Sequence, residues 1–312
     1  MSLLEINNLH TYFDTRRGIV KAVNGISFSV EKGKTLGVVG ESGSGKSQTA
    51  MSILRLFENN QRIADGQIKF KGQVLNDLSE KDLQKIRGKE ISMIFQEPMS
   101  SLNPVFTVER QINEVLMLHQ GMNEKQASQR SKEMLEAVQI TNPEDVLKQY
   151  PFQLSGGMSQ RVMIAMALAC NPDLLIADEP TTALDVIIQA EILRLMNELK
   201  KDFNTAIMFI THDLGVISEM ADDVIVMHQG KIVESGSLYS IFDYPTHPYT
   251  KRLMAAFLKT DISRRKGERE MEEDLFSAEN EIFDFQNFRE HNEADADWYE
   301  VAQGHFVACR IK

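Results

Sequence analysis

The sequence predicts an α/β protein: a mostly parallel sheet core covered by helices, with an N-terminal antiparallel β part, a helical insertion and a C-terminal extension. Three observations predict it. Short continuous apolar runs alternate with segments of helical spacing, as in sheets whose strands are buried on both faces. A glycine-rich octapeptide, residues 40–47, joins one such run directly to a helix-forming segment. Between Glu97 and Leu154 the strands give way to residues rich in Glu, Lys, Gln, Met and Leu. The expected division is a core of residues 1–96 and 155–250, a helical subdomain of 97–154 and an extension of 251–312.

Leu4-Glu5-Ile6 opens the chain as a strand, and Ala22 to Val30 follows with apolar residues near period two, closed by Lys32-Gly33-Lys34. Thr35-Leu36-Gly37-Val38-Val39 is a short apolar run bounded by glycines, which predicts a buried strand. Gln48 to Phe57 then predicts a helix. Within the insertion, Glu114 to His119, Glu124 to Val138 and Pro143 to Gln149 carry apolar residues at helical spacing. Strands return at Leu174 to Ala177, Ala206 to Ile210 and Asp223 to Met227, with helical segments such as Ile188 to Lys201 between them. After Pro245 the pattern weakens into a charged tail.

The octapeptide Gly40, Glu41, Ser42, Gly43, Ser44, Gly45, Lys46 and Ser47 fits the phosphate-binding pattern G-x-x-x-x-G-K-[ST], in the strand-to-helix context that the pattern requires. Its glycines let backbone N–H groups fold around phosphates, and the helix N-terminus adds a favourable field. Lys46 would reach the phosphates and Ser47 a Mg²⁺ ion. Downstream, Leu174-Leu175-Ile176-Ala177 ends in Asp178 and Glu179. The first carboxylate suits a hydrated Mg²⁺ and the second suits a general base on an attacking water. Between these elements lies LSGGMSQR, Leu154 to Arg161, in which Ser155, Gly156 and Gly157 precede a predicted helix from Gln160 to Cys170. Their N–H groups suit a phosphate, and Ser155 also reads as a plain N-cap.

With LSGGM in place, the chain resembles the ATP-binding-cassette family, over Leu3 to about Leu258. That resemblance implies a phosphate-loop ATPase that binds Mg²⁺ and ATP, with Gln48 joining the loop residues in the nucleotide site. It implies that Ser155, Gly156 and Gly157 serve ATP held by the opposite subunit. Gln96, in Ile94-Phe95-Gln96-Glu97, matches the loop that touches Mg²⁺ and couples to the membrane domains. Asp185, in Ala183-Leu184-Asp185, matches the loop that crosses the dimer interface, and His212 matches the switch histidine at the γ-phosphate. Phe13 fits the position that stacks on adenine, with the adjacent Tyr12 as the alternative. Met158, where the wider family has Gln, and Pro245-Thr246-His247-Pro248-Tyr249-Thr250 resemble the oligopeptide and dipeptide importer branch, which includes nickel and glutathione relatives. The expected partners are a second, paralogous ATPase subunit, two membrane permease subunits and an extracytoplasmic substrate-binding protein. The expected place is the cytoplasmic face of the cell membrane, as a peripheral subunit.

Charge and cysteine content sharpen these expectations. The formal charge is −11, but Met271 to Glu300 holds eleven Asp and Glu against Arg289 alone, which leaves about −1 elsewhere. No basic field marks a nucleic-acid binder, which disfavours the alternative of a soluble cassette ATPase acting on nucleic acid or ribosomes. A phosphate-loop kinase of small molecules would leave LSGGM and His212 unexplained. The longest apolar run, Val162 to Cys170, is too short to cross a bilayer, and Met1 to Glu5 lacks the features of an export signal. Cys170 and Cys309 imply no disulfide framework and fit a reducing cytosol. Many members of the branch hold an iron–sulfur cluster in a four-cysteine tail. This chain closes with the similar Gly304-His305-Phe306-Val307-Ala308-Cys309 but lacks the upstream cysteines, so no cluster is expected. The acidic segment 271–300 has two readings: a solvated tail, or a docked one, since Phe276, Phe283, Phe285, Phe288, Trp298 and Tyr299 are many aromatics for a spacer.

Overall fold

Apolar runs of five or six residues become fully buried strands, because helices or loops on both faces leave no side for polar residues. The computed structural model describes residues 2–97, 101–182, 184–264, 283–284 and 298–311. Ala183 and most of the acidic segment, including Phe276, Phe285 and Phe288, lie outside the described residues. Two units are formed, one from described residues within 1–3, 30–35 and 71–210, the other from those within 4–29, 36–70 and 211–312.

The second unit begins with a long hairpin, β1 (Ser2–Thr15) and β2 (Gly18–Glu31). Both strands are far longer than the predicted Leu4–Ile6 and Ala22–Val30, since hydrogen bonding carries the ladder through the polar stretches. β3 (Thr35–Val39) is buried at every residue, and β4 (Gln61–Phe70) pairs antiparallel with β1 in the register Leu4↔Phe70 and Ile6↔Ile68. The predicted N-terminal antiparallel part is therefore present. β3 runs parallel to a strand near the chain's other end, as described below.

In the first unit, the short β5 (Gln73–Val74) precedes the parallel trio β6 (Ile91–Ile94), β7 (Leu174–Asp178) and β8 (Ala206–Thr211). The registers are Ile91↔Leu174 and Leu174↔Ala206. The insertion folds into helices Val108–Gln120, Glu124–Ala137 and Pro143–Leu147, the first of them starting six residues before the predicted Glu114. Val108, Ile112 and Leu116, spaced by four, are buried on one side of the first of these, and Ala127, Met134 and Leu135 on the second. Thr107 and Asn123 cap the two helices by accepting from the N–H groups of Arg110 and Gln126.

β9 (Asp223–His228) lies parallel to β3, with Leu36 opposite Asp223 and Val39 opposite Val226. β10 (Lys231–Ser237) returns antiparallel beside β9. β11 is the pair Phe283–Asp284. The tail then adds a hairpin, β12 (Trp298–Ala302) and β13 (His305–Ala308), whose second strand pairs antiparallel with β10. β14 (Arg310–Ile311) pairs with β11. Val307, Ala308 and Cys309 are fully buried, so the described end of the tail docks on its own unit. Among the described residues no helix is long and apolar enough to cross a membrane.

Candidate active site

The phosphate loop is shaped by close backbone approach. Gly40 has φ +153° and Gly45 φ +103°; a Cβ on Gly40 would lie 2.2 Å from the Met227 carbonyl oxygen, and one on Gly45 2.5 Å from that of Ala22. No side chain larger than hydrogen fits either position. Helix Lys46–Leu54 follows, starting two residues earlier than predicted because Lys46 and Ser47 already turn with it. Its N-terminus has no side-chain cap and no acidic residue in its first turn, so the helix itself supplies no countercharge to its dipole there.

Lys46 is buried, and its Nζ donates to the carbonyl oxygens of Gly40 at 2.8 Å and Glu41 at 3.0 Å. The buried Ser44 hydroxyl has no hydrogen-bond partner among the described residues. An arched loop, a buried ammonium on neutral carbonyls and an uncompensated hydroxyl fit an anionic phosphate, which would give the ammonium an acceptor of opposite charge.

Phe13 and Tyr12 occupy successive positions of β1 and so point to opposite faces. Tyr12 is tied to its own neighbours, with its hydroxyl 3.0 Å from His10 Nδ1 and Lys21 Nζ 5.7 Å from its ring centre. Phe13 pairs with Gln61, whose Nε2 donates at 2.6 Å to Oε1 of Gln48 in the first turn of the loop's helix. Phe13 is half-buried, on a strand already joined to that helix through Thr11 and Ser52, whose hydroxyls lie 2.7 Å apart.

The carboxylates belong to the other unit. β7 ends at the buried Asp178, and the chain turns sharply at Glu179, whose φ of +46° is left-handed. That turn is held by the Glu179 N–H donating to Ile210 O at 2.9 Å. Glu179 Oε2 accepts from Gln96 Nε2 at 3.1 Å and from the Thr182 hydroxyl at 3.0 Å. Gln96 thus meets Glu179 from a position two residues past β6. Thr182 is a contact that sequence reasoning missed. Its only signal was its place three residues after Glu179 in the turn.

Ser155 is the N-cap of helix Gly156–Leu168, its Oγ accepting from Met158 N–H at 3.3 Å. Ser155 and Gly156 are exposed. Gly157 lies against Ile188 of helix Val186–Phe203, since a Cβ there would come within 3.1 Å of Ile188 Cγ2. Asp185 caps that second helix by accepting from the N–H groups of Ile187 and Ile188, both at 3.1 Å. Beside it Val186 and Ile187 are 69% and 73% exposed, an apolar face next to the signature residues. His212 follows β8 and is exposed, while Asp213 caps helix Leu214–Met220.

Comparison with known proteins gives the family of the chain. The family model described as ABC transporter matches residues 23–182. The chain is 54% identical over 256 residues to the oligopeptide transport ATP-binding protein AppD of Bacillus subtilis (strain 168), covering 82% of this chain and 78% of that one. It is 52% identical over 259 residues to the oligopeptide transport ATP-binding protein OppD of Salmonella typhimurium, covering 83% and 77%. Among solved structures, the ATP-binding cassette MJ0796 in a dimeric post-hydrolysis state with ADP and Pi aligns with a TM-score of 0.68 at 28% identity, covering 75% of this chain and 98% of that one. This chain belongs to the ABC transporter family, as one of its ATP-hydrolysing cassettes.

Proposed function

We propose that this chain energises an importer of oligopeptides or dipeptides by binding and hydrolysing ATP. The observation that carries the reading is the phosphate loop with its buried Lys46 on neutral carbonyls, a binding site prepared for an anion. Residues Gly40 to Ser47 and Gln48 hold the nucleotide's phosphates, and Phe13 stacks on its base. Glu179 takes the proton of the attacking water, with Gln96 and Thr182 holding its carboxylate in place. His212 contacts the γ-phosphate. Ser47, Gln96 and Asp178 offer oxygen donors, the set a hard cation such as Mg²⁺ takes, and that ion supplies charge neutralisation at the phosphates when bound.

Ser155, Gly156 and Gly157 serve the ATP of a second cassette, with Asp185 and the exposed Val186 and Ile187 at that interface. The second cassette is a paralogous subunit. The helical insertion, residues 97–154, faces two permease subunits, which hold the chain at the cytoplasmic side of the membrane, and an extracytoplasmic binding protein delivers the peptide. The names of the relatives AppD and OppD support this cargo. The near-neutral charge outside the acidic segment gives no support to a nucleic-acid partner.

Affinity purification of the tagged chain from detergent-solubilised membranes tests the reading. Two permease subunits and a second cassette are expected, and ATP hydrolysis by the reconstituted complex should rise with short peptides and the binding protein. Stimulation by nickel or glutathione instead, or co-purification with ribosomes, would sink the peptide assignment.

The chain is also expected to carry no iron–sulfur cluster. Burial pushes the Cys170 thiol up, away from the thiolate that ligates iron, and His305 Nε2 is engaged by Glu234 at 2.7 Å. Iron and acid-labile sulfide assays on anaerobically purified protein should read near zero; stoichiometric amounts of both would refute the expectation.

A further inference from the structure

Pro248 opens helix Pro248–Arg264, a place where a missing N–H costs nothing. His247 acts as its cap, with Nδ1 accepting from Tyr249 N–H at 3.1 Å. Tyr249 is 2% exposed, and its ring centre lies 4.0 Å from that of His228. Its hydroxyl oxygen accepts from the N–H of Glu41 at 2.9 Å, inside the phosphate loop. That N–H belongs to the same peptide unit as the Gly40 carbonyl, which accepts from Lys46 Nζ at 2.8 Å. One planar peptide is therefore gripped at both ends, by Tyr249 on its N–H and by Lys46 on its oxygen. Because the unit is rigid, rotating its N–H away from Tyr249 swings the oxygen away from Lys46.

The cap itself is anchored from the tail. Glu234 of β10 is fully buried, and its two carboxyl oxygens accept from the N–H groups of Thr246 at 2.8 Å and His247 at 3.0 Å. His305 of β13, 2% exposed, donates from Nε2 to the same carboxyl at 2.7 Å. Pairing of β13 with β10, Glu234 opposite Val307, brings that imidazole to its partner. Burial pushes the Tyr249 hydroxyl up, so it keeps its proton and remains a neutral acceptor.

We propose that Tyr249 is a positioning residue for nucleotide binding, setting the Gly40–Glu41 peptide and with it Lys46, and that the C-terminal hairpin supports it through His305 and Glu234. This rests on the reading of residues 40–47 as the ATP site. Docking of the hairpin and occupation of the phosphate loop are then reciprocally linked: each strengthens the other by the same factor. The segment Thr246 to Tyr249 carries the linkage, which gives the His-Pro-Tyr-Thr sequence a physical task.

The test is titration of the full-length chain with ATP and Mg²⁺ by calorimetry, together with steady-state hydrolysis in the assembled complex. Tyr249→Phe keeps the ring on His228 and removes the acceptor; its Kd for ATP should rise about two- to tenfold, the worth of one net hydrogen bond. The change should be larger in KM than in kcat. His305→Ala should weaken ATP binding in the same direction, while His305→Gln, which can still donate to Glu234, should restore most of the affinity. A general loss of stability would not distinguish these two variants in Kd once both are measured well below their melting temperatures. Parental Kd values for Tyr249→Phe and His305→Ala would overturn the proposal. Failure of the parent chain itself to bind ATP would instead bring down the nucleotide reading on which it rests.

Discussion

Glu179→Gln is expected to bind ATP normally and to turn it over about 10²- to 10⁴-fold more slowly, the usual contribution of a positioned general base. The substitution keeps the side chain's shape. Its remaining carbonyl oxygen can still accept from Gln96 Nε2 and the Thr182 hydroxyl, which in the parent both donate to Oε2. The left-handed turn at this residue, closed by its N–H on Ile210 O, involves only backbone and is retained. What disappears is the negative charge of Glu179 that draws a proton from water. Phosphate release measured beside retention of labelled ATP separates the two effects: binding stays and release stops. A rate near that of the parent would remove Glu179 from the role of base.

Lys46→Ala should act on the other quantity. Lys46 is 4% exposed and its ammonium is held on the carbonyls of Gly40 and Glu41, in a loop whose helix has no acidic residue in its first turn. Removing it deletes the one buried cation of residues 40–47 and lets the loop carbonyls face the phosphates. Hydrogen bonds to charged groups are worth about 1.5–3 kcal/mol, so the Kd for ATP should rise roughly 10- to 150-fold. Equilibrium titration of the isolated chain reads this directly. A Kd within twofold of the parent's would mean that Lys46 does not reach the nucleotide.

Much of this site was legible in the sequence because its parts are local. The loop glycines, the apolar strand before Asp178 and the serine ahead of Gly156 each announce a strand end or helix start within a few residues. Contacts between distant segments were not legible. Nothing about Glu234 points to His305, 71 residues away and beyond an acidic segment. Tyr249 stood in a recognisable segment, yet its bond to Glu41 N–H spans 208 residues and depends on where β9 and helix Pro248–Arg264 lie. Strand lengths were underestimated for a different reason. Asn7 and Asn8 interrupt the alternation of β1, although the ladder to β4 continues past them through register shifts between Asn7 and His10 and between His10 and Thr11. Ser155 came out as the N-cap that the sequence offered, because capping depends on residues three apart.

The central claim is that ATP is hydrolysed where the phosphate loop of one chain meets Ser155, Gly156 and Gly157 of another. Mixing two inactive variants tests it most directly, without the paralogous subunit and at concentrations where the chain pairs with itself in its place. A Lys46→Ala chain has no competent phosphate loop but an intact Ser155. A Ser155→Arg chain has the reverse, because the arginine blocks the surface beside Val186 and Ile187 and the chain keeps its Lys46. Each variant alone should hydrolyse ATP negligibly, whereas the equimolar mixture should recover activity, since a mixed pair contains one site with both halves intact. Parental activity from Ser155→Arg alone, or full activity from a strictly monomeric preparation of the parent, would contradict the shared site.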